Sequence, residues 1–219
     1  MIYQDRRDAG RALARTVAVL PNIKEAIVLA LPRGGVPVAF EVAREHNLPL
    51  DILVVRKLGV PGEEELAMGA ITSDGTAVFN SDIIQACGIS DEILRATINR
   101  EQLEVEREER EYRSGNPALA IVDRTVLLVD DGLATGATMR AAARSVRSSA
   151  RQIVISVPVA AASTCRQLRC EADLVVCPVT PEPFGAVGRF YDDFRPTSDD
   201  EVRALLTQAR NGWAIRPAA

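Results

Sequence analysis

Val126-Leu-Leu-Val-Asp-Asp-Gly-Leu-Ala-Thr-Gly-Ala-Thr-Met139 decides the fold of this chain. An apolar run ends in two adjacent carboxylates, Asp130 and Asp131. A loop rich in Gly and Thr follows, and Met139, Ala142, Ala143 and Val146 then share one helical face. That order spells a buried strand, a turn and a helix N-terminus. The free amides of such a loop and helix start attract phosphate. Two carboxylates beside them cannot bind the same anion, so they call for hydroxyls or a metal. Phosphate next to a diol or a metal means a sugar phosphate. Taken apart, Asp-Asp-Gly is an ordinary turn and Thr-Gly-Ala-Thr an ordinary loop; only the joined run carries the reading. The chain has no Gly-Lys-Ser/Thr of a P-loop, and Gly132 and Gly136 lack the spacing of dinucleotide-binding glycines.

Outward from this stretch, strand and helix patterns alternate. Arg6–Leu20 has Leu13, Val17 and Leu20 at helical spacing, and Ala26–Leu31 is a short buried strand. Gly34-Gly35 opens a helix of about Val36–His46, with Pro37 in its first turn, where a missing N–H does no harm. Ile52–Arg56 reads as a second strand, and Ala67–Thr72 and Thr76–Asn80 flank Ser73-Asp74-Gly75 as a hairpin. A charged helix is expected over Asp91–Arg113, with Ile93, Leu94, Ile98 and Leu103 as a thin apolar stripe on an otherwise solvated surface. A dimer contact or a wall of the lid is the alternative. Strands then recur at Thr125–Val129, Ile153–Val157 and Leu174–Cys177, with helices near Thr138–Ser148 and Thr164–Cys170. A last helix, about Asp199–Asn211, starts with a capping box from Ser198 to Glu201. Such alternation means a mainly parallel sheet covered on both faces. Ligands in these sheets sit beyond the carboxyl ends of strands, and polar, glycine-bearing sequence follows three of them: Leu31–Gly35, Arg56–Gly62 and Asp130–Thr138.

At 219 residues and 47% apolar, the chain is long enough for a full core. A formal charge of -4 and a pI near 5.2 leave no electrostatic footprint for nucleic acid. No apolar run approaches a membrane span, and the first residues do not read as a signal peptide. Cys87, Cys165, Cys170 and Cys177 form no C-x-x-C, and the single His46 leaves no zinc set, so free thiols in a reducing cytoplasm are expected.

The run Val126–Met139 strongly resembles the ribose-phosphate signature of the type I phosphoribosyltransferases, which bind phosphoribosyl pyrophosphate (PRPP). Leu31-Pro-Arg-Gly-Gly35 matches the pyrophosphate loop of that family, and the resemblance implies a strained or cis peptide near Arg33-Gly34. By residue type alone, Arg33 can grip an anion with its fork and the glycines let backbone approach a ligand; a helix-start turn with a surface arginine is the alternative. Arg56-Lys57 suits a pyrophosphate leaving group or a solvated strand end, and Lys57 is one of only two lysines. Leu58-Gly-Val-Pro-Gly-Glu-Glu-Glu65 resembles the family's flexible lid, which excludes water. Phe184, Val187-Gly188 and Asp192 resemble the base-contacting segment of the 6-oxopurine enzymes with altered spacing; aromatics that merely close the core are the alternative.

The resemblance implies an α/β type I phosphoribosyltransferase fold: a mainly parallel central sheet flanked by helices, with a small hood and flexible lid. The expected domain spans 1–219, with core about 22–80 and 120–180, a helical and lid excursion about 58–116, and a C-terminal hood and helix about 181–211. The implied activity transfers the ribose 5-phosphate of PRPP to a nucleobase-like acceptor and releases pyrophosphate, with Mg²⁺ as cofactor. Asp130 and Asp131 would be the catalytic and metal-holding carboxylates. Ala134, Thr135, Gly136, Ala137 and Thr138 would cradle the 5-phosphate; Arg33, Gly34, Arg56 and Lys57 the pyrophosphate; Phe184, Val187 and Asp192 the acceptor. Ala134 stands where the 6-oxopurine enzymes carry an Asp, and no lysine follows Lys57, so the loop looks closer to that of adenine phosphoribosyltransferases, which use a lid Glu; Glu63–Glu65 offer one. A PRPP- or nucleotide-sensing regulator is the alternative function. A homodimer is left open.

Overall fold

The computed structural model describes residues 2–21 and 23–212, with Glu65 by its backbone only. Five parallel strands form the central sheet: β1 (Ile27–Ala30), β2 (Leu50–Ile52), β6 (Thr125–Val129), β7 (Gln152–Ser156) and β8 (Leu174–Val176), in the order β2-β1-β6-β7-β8. Successive strand residues point to opposite faces, and here both faces are apolar. Ile27, Leu29, Val126, Leu128, Ile153 and Ile155 pack on α5 (Ala137–Val146) and α6 (Ala162–Leu168). Val28, Ala30, Leu127, Val129 and Val154 pack in the other layer, with α1 (Arg6–Val17), α2 (Gly35–His46) and α7 (Asp199–Arg210). The α/β architecture read from the sequence is the one observed.

From β1 the chain crosses through α2 to β2 on one side, whereas β6 joins β1 on the other. The strand order reverses between β1 and β6, and in such sheets ligands bind in the crevice outside the carboxyl ends of the strands at that point. Leu31 N–H donates to Val129 O at 2.9 Å, so the loop after β1 and the loop after β6 leave the sheet side by side.

A second, antiparallel sheet holds β3 (Val55–Val60), β4 (Glu63–Thr72) and β5 (Ala77–Phe79). Two expectations change here. The strand expected over Ile52–Arg56 is two strands: β2 ends at Ile52 and β3 begins at Val55, which places Arg56 and Lys57 inside β3 rather than at the end of a core strand. The apolar run Ile52–Val55 gives no local sign of the break. The segment 58–65, expected as a lid loop, is a β-hairpin turning at Pro61-Gly62, with Val60 paired to Glu63.

Helix α3 (Ser81–Ala86) leads to α4 (Asp91–Arg113), whose limits match the expectation and whose buried face matches it in part: Leu94 and Ile98 pack against the main core. Ile93 and Leu103 are exposed, while Thr97, Glu101, Val105, Glu109 and Tyr112 turn inward. Most of these recur at i,i+4 spacing, so they form one stripe. Two glutamates enter that stripe because each meets an arginine: Glu101 takes Arg56 Nε at 2.7 Å, and Glu109 pairs with Arg113. Helix α4 thus packs against β3, β4 and α7 instead of standing in solvent. The C-terminal segment divides between the core and the ends of the strands. Val202, Leu205 and Leu206 of α7 belong to the main core, and the N-terminal segment joins the hood through a parallel bridge between Tyr3 and Tyr191.

Candidate active site

Each strand end delivers one part of the crevice. Asp130 and Asp131 follow β6 directly, and two contacts fix their carboxylates. The Asp131 N–H donates to Asp130 Oδ1 at 2.8 Å, and Arg6 Nε donates to Asp131 Oδ2 at 2.8 Å. Burial, and next the charge of Asp131, push the Asp130 carboxyl well above its usual range; burial also raises Asp131, against the opposing pull of Arg6. Two acids this close resist joint ionisation, so a ligand that brings a cation or hydrogen-bond donors would favour their charged forms.

The loop after β1 lies on this pair. A Cβ built on Gly34 would sit 2.0 Å from Asp131 Oδ2, so no side chain fits there. The glycine was expected to let backbone approach a ligand; its closest neighbour is the carboxylate itself. The peptide between Pro32 and Arg33 is cis, one bond before the expected position.

Gly136 is the residue before α5 and has φ of 71°, a left-handed conformation that favours glycine. Among the described residues no side chain caps that helix start, and the first amides of an uncapped helix are available to an anion. Ala134, Thr135, Ala137 and Thr138 are exposed around it. Thr164 Oγ1 donates to Ala134 O, and Leu133 N–H donates to Val159 O at 3.0 Å, which ties the loop to α6 and to the chain after β7.

On the far side of the Arg33 loop lies a cavity of 520 Å³ whose lining includes Arg33, Arg56, Lys57, Glu64, Tyr112 and Asp199. Arg33 is 51% exposed and lies 3.7 Å from Asp199. Arg56 is held by Glu101 and, at 2.6 Å, by Glu108. A pyrophosphate role for Arg56 therefore requires competition with two carboxylates.

A model of the phosphoribosyl transferase domain matches residues 2–194. The chain belongs to the phosphoribosyltransferase family. Two Mycobacterium tuberculosis proteins, from strains CDC 1551 and H37Rv, carry the provisional name of phosphoribosyl transferase; each is 44% identical over 214 residues, or 97% of this chain and 48% of theirs. The chain thus spans about half the length of these curated relatives. Among solved structures, TT1426 from Thermus thermophilus superposes with a TM-score of 0.80 at 39% identity, covering 94% of this chain and 98% of that one.

Within the phosphoribosyltransferase framework, the acceptor candidates divide. A Cβ on Gly132 would lie 2.5 Å from Val187 Cγ1, so Val187 rests directly on the motif. Phe184 is half-buried against Phe190, with ring centres 5.2 Å apart. The Asp192 side chain is exposed, and its N–H donates to Tyr3 O at 2.9 Å. Of the three hairpin glutamates, Glu64 lines the cavity, Glu63 is exposed, and the side chain of Glu65 lies outside the described residues. Sequence reading missed Arg6, and also Tyr191, whose hydroxyl donates to Asp131 O. Tyr191 lies inside the segment from Phe184 to Asp192 but was given no role there, and Arg6 reads locally as an ordinary first-turn residue after the cap Asp5.

Proposed function

We propose that this protein transfers the ribose 5-phosphate of PRPP to a nucleobase-like acceptor and releases pyrophosphate. The observation that carries this is the contact of Gly34 with Asp131: an arginine-bearing anion loop and a carboxylate pair meet in one crevice, beside an uncapped helix start. The amides of Gly136, Ala137 and Thr138, with Ala134 and Thr135, hold the 5-phosphate. Arg33, beside Gly34, and Lys57 receive the pyrophosphate as negative charge gathers on it. As the anomeric carbon–oxygen bond to pyrophosphate breaks, positive charge grows on the ribose. Asp130 and Asp131 then hold the ribose hydroxyls and stabilise that charge in a site aligned before reaction. Val187 and Phe184 face the acceptor, and Glu64 is the candidate for taking its proton.

The family implies Mg²⁺, and the donor set fits it. Among the described residues no group of three or more His, Cys, Asp or Glu side chains gathers to form a metal cage. Magnesium takes one or two carboxylates and completes its shell with ligand and water oxygens, and Asp130 and Asp131 offer that. Bound there, it would neutralise phosphate charge. For the acceptor, the lack of lysine after Lys57 leaves the oxo group of hypoxanthine or guanine without that cationic partner, and Ala134 leaves the loop without a base, so adenine, another small base or an amine-bearing ring is preferred.

One observation favours a second reading, a PRPP or nucleotide sensor. The cavity beside Arg33 sets five carboxylates, Glu64, Glu101, Glu108, Glu111 and Asp199, against five cations, Arg33, Arg56, Lys57, Arg100 and Arg107, so its lining offers a leaving anion no net positive charge. Melting in the presence of PRPP and Mg²⁺, followed by pyrophosphate release with adenine, guanine, hypoxanthine, uracil and orotate, separates the readings. PRPP with Mg²⁺ is expected to raise the melting temperature, since a ligand at 100 times its Kd adds about 2.7 kcal/mol. No shift overturns both readings. A shift with efficient guanine turnover overturns the acceptor assignment, and a shift with no turnover favours the sensor.

A further inference from the structure

Arg6 meets the carboxylate pair, the anion loop and the C-terminal segment around Phe194. Its Nε donates to Asp131 Oδ2 at 2.8 Å, with the two side chains only 11% and 14% exposed. Its Nη1 donates to Arg195 O at 2.7 Å. The guanidinium lies over the Phe194 ring, 3.9 Å from its centre. A Cβ on Gly34 would come within 3.2 Å of Nε, so the anion loop closes against the same group. Hydrogen bonds, stacking and steric walls thus determine the guanidinium from several directions.

Its mounting is equally fixed. Arg6 opens α1, whose cap Asp5 accepts from the Asp8 N–H, and α1 packs on α2, the helix that follows the anion loop. Just before it, Tyr3 N–H donates to Phe190 O at 3.0 Å, and the Tyr3 hydroxyl donates to Pro158 O at 3.0 Å. Tyr191, bridged to Tyr3, binds the main-chain oxygen of Asp131. Arg6 and Tyr191 therefore grip one residue by its side chain and its backbone.

We propose that Arg6 is a positioning residue: it holds Oδ2 of Asp131 so that this carboxylate presents Oδ1 to the ligand, and it makes the alignment of Asp131 depend on the N-terminal segment and the hood. The inference rests on the PRPP-binding reading above. A planar fork serves this purpose better than an ammonium, because it can donate to two acceptors and stack at once.

The test compares wild type, R6K, R6Q and R6A by kcat, KM for PRPP, and Kd for PRPP with Mg²⁺ from calorimetry, each normalised to the folded fraction. A cavity of 320 Å³ lined by Asp5, Arg6, Arg7 and Arg195 opens beside the side chain, so guanidinium at non-denaturing millimolar concentration can reach the gap left in R6A. The expected result is a kcat lower by about 10²-fold in R6A and R6Q, a much smaller change in KM, a smaller loss in R6K, and partial rescue of R6A by guanidinium but not by ammonium. If wild type binds PRPP without turnover, the same pattern is expected in Kd. Normal kcat, or normal Kd in the non-catalytic case, overturns this inference alone. So does a loss that vanishes on normalisation to folded protein, or one that neither R6K nor guanidinium relieves. Failure of wild type to bind PRPP overturns the functional reading, and this inference with it.

Discussion

At the scale of single residues, the crevice is decided by what is missing as much as by what is present. Gly34 has φ of -61°, an ordinary helical value, so its identity answers to space rather than to backbone freedom. A methyl group there would meet Asp131 Oδ2 at 2.0 Å and Asp131 Cγ at 2.8 Å. Either the anion loop or the carboxylate must move. G34A is therefore expected to keep the fold and to lose about 10²-fold in kcat, because misplacement of a catalytic group by about 1 Å has consequences of that size. Circular dichroism and PRPP-dependent pyrophosphate release check this together. Wild-type turnover in folded G34A would mean that Asp131 has freedom its contacts deny.

At the scale of elements, α4 shows how a helix rich in Glu and Arg comes to be a wall. Its inward glutamates are tolerated because β3 and α4 itself supply arginines. For Glu101, burial works to raise the carboxyl, but hydrogen bonds from Arg56 and Arg100 outweigh it and hold the group below the usual carboxylate range. A carboxyl depressed in the folded state adds stability above its unfolded value, and that contribution disappears as pH falls through the folded value. E101Q is expected to lower stability by about 1 kcal/mol near neutrality, since Arg56 is partly exposed and screened. The gap from wild type should narrow as the medium is acidified below the normal glutamate range. Denaturant titrations across pH test it, and a gap that stays constant would assign the contact to packing rather than to charge.

Across the whole molecule, one buried carboxylate joins what the sequence separates. Asp51 on β2 is 1% exposed and accepts from Arg113 Nε at 3.1 Å and from Leu119 N–H at 2.9 Å, with Arg210 Nη2 at 3.6 Å. It thereby ties the central sheet to the end of α4, to the strand of chain that returns to β6, and to α7. R113M leaves Asp51 and Glu109 short of their main partner. Breaking a buried pair from one side costs about 3–5 kcal/mol, and chemical denaturation should register that. A cost under about 1 kcal/mol would show that Arg210 and the Leu119 amide suffice.

The strand, carboxylate pair, loop and helix of Val126–Met139 were legible in the residues, because periodicity and turn chemistry are local properties. So were the sheet class and the limits of α4 and α7, which caps and apolar spacing mark. The loop containing Arg33 and the phosphate loop converge because both follow adjacent parallel strands, and that too was readable from the alternation of elements. What only the tertiary structure decided are the contacts between distant segments. Arg6 and Asp131 are 125 positions apart, and neither the cap at Asp5 nor the motif at Asp130 predicts the pairing. Arg56 looked like a free cation at a strand end until the fold laid α4 across it. The burial of Glu101 and Glu109 on α4 was missed for the same reason: a glutamate counts as polar in a pattern, but its burial depends on whether an arginine is brought to it.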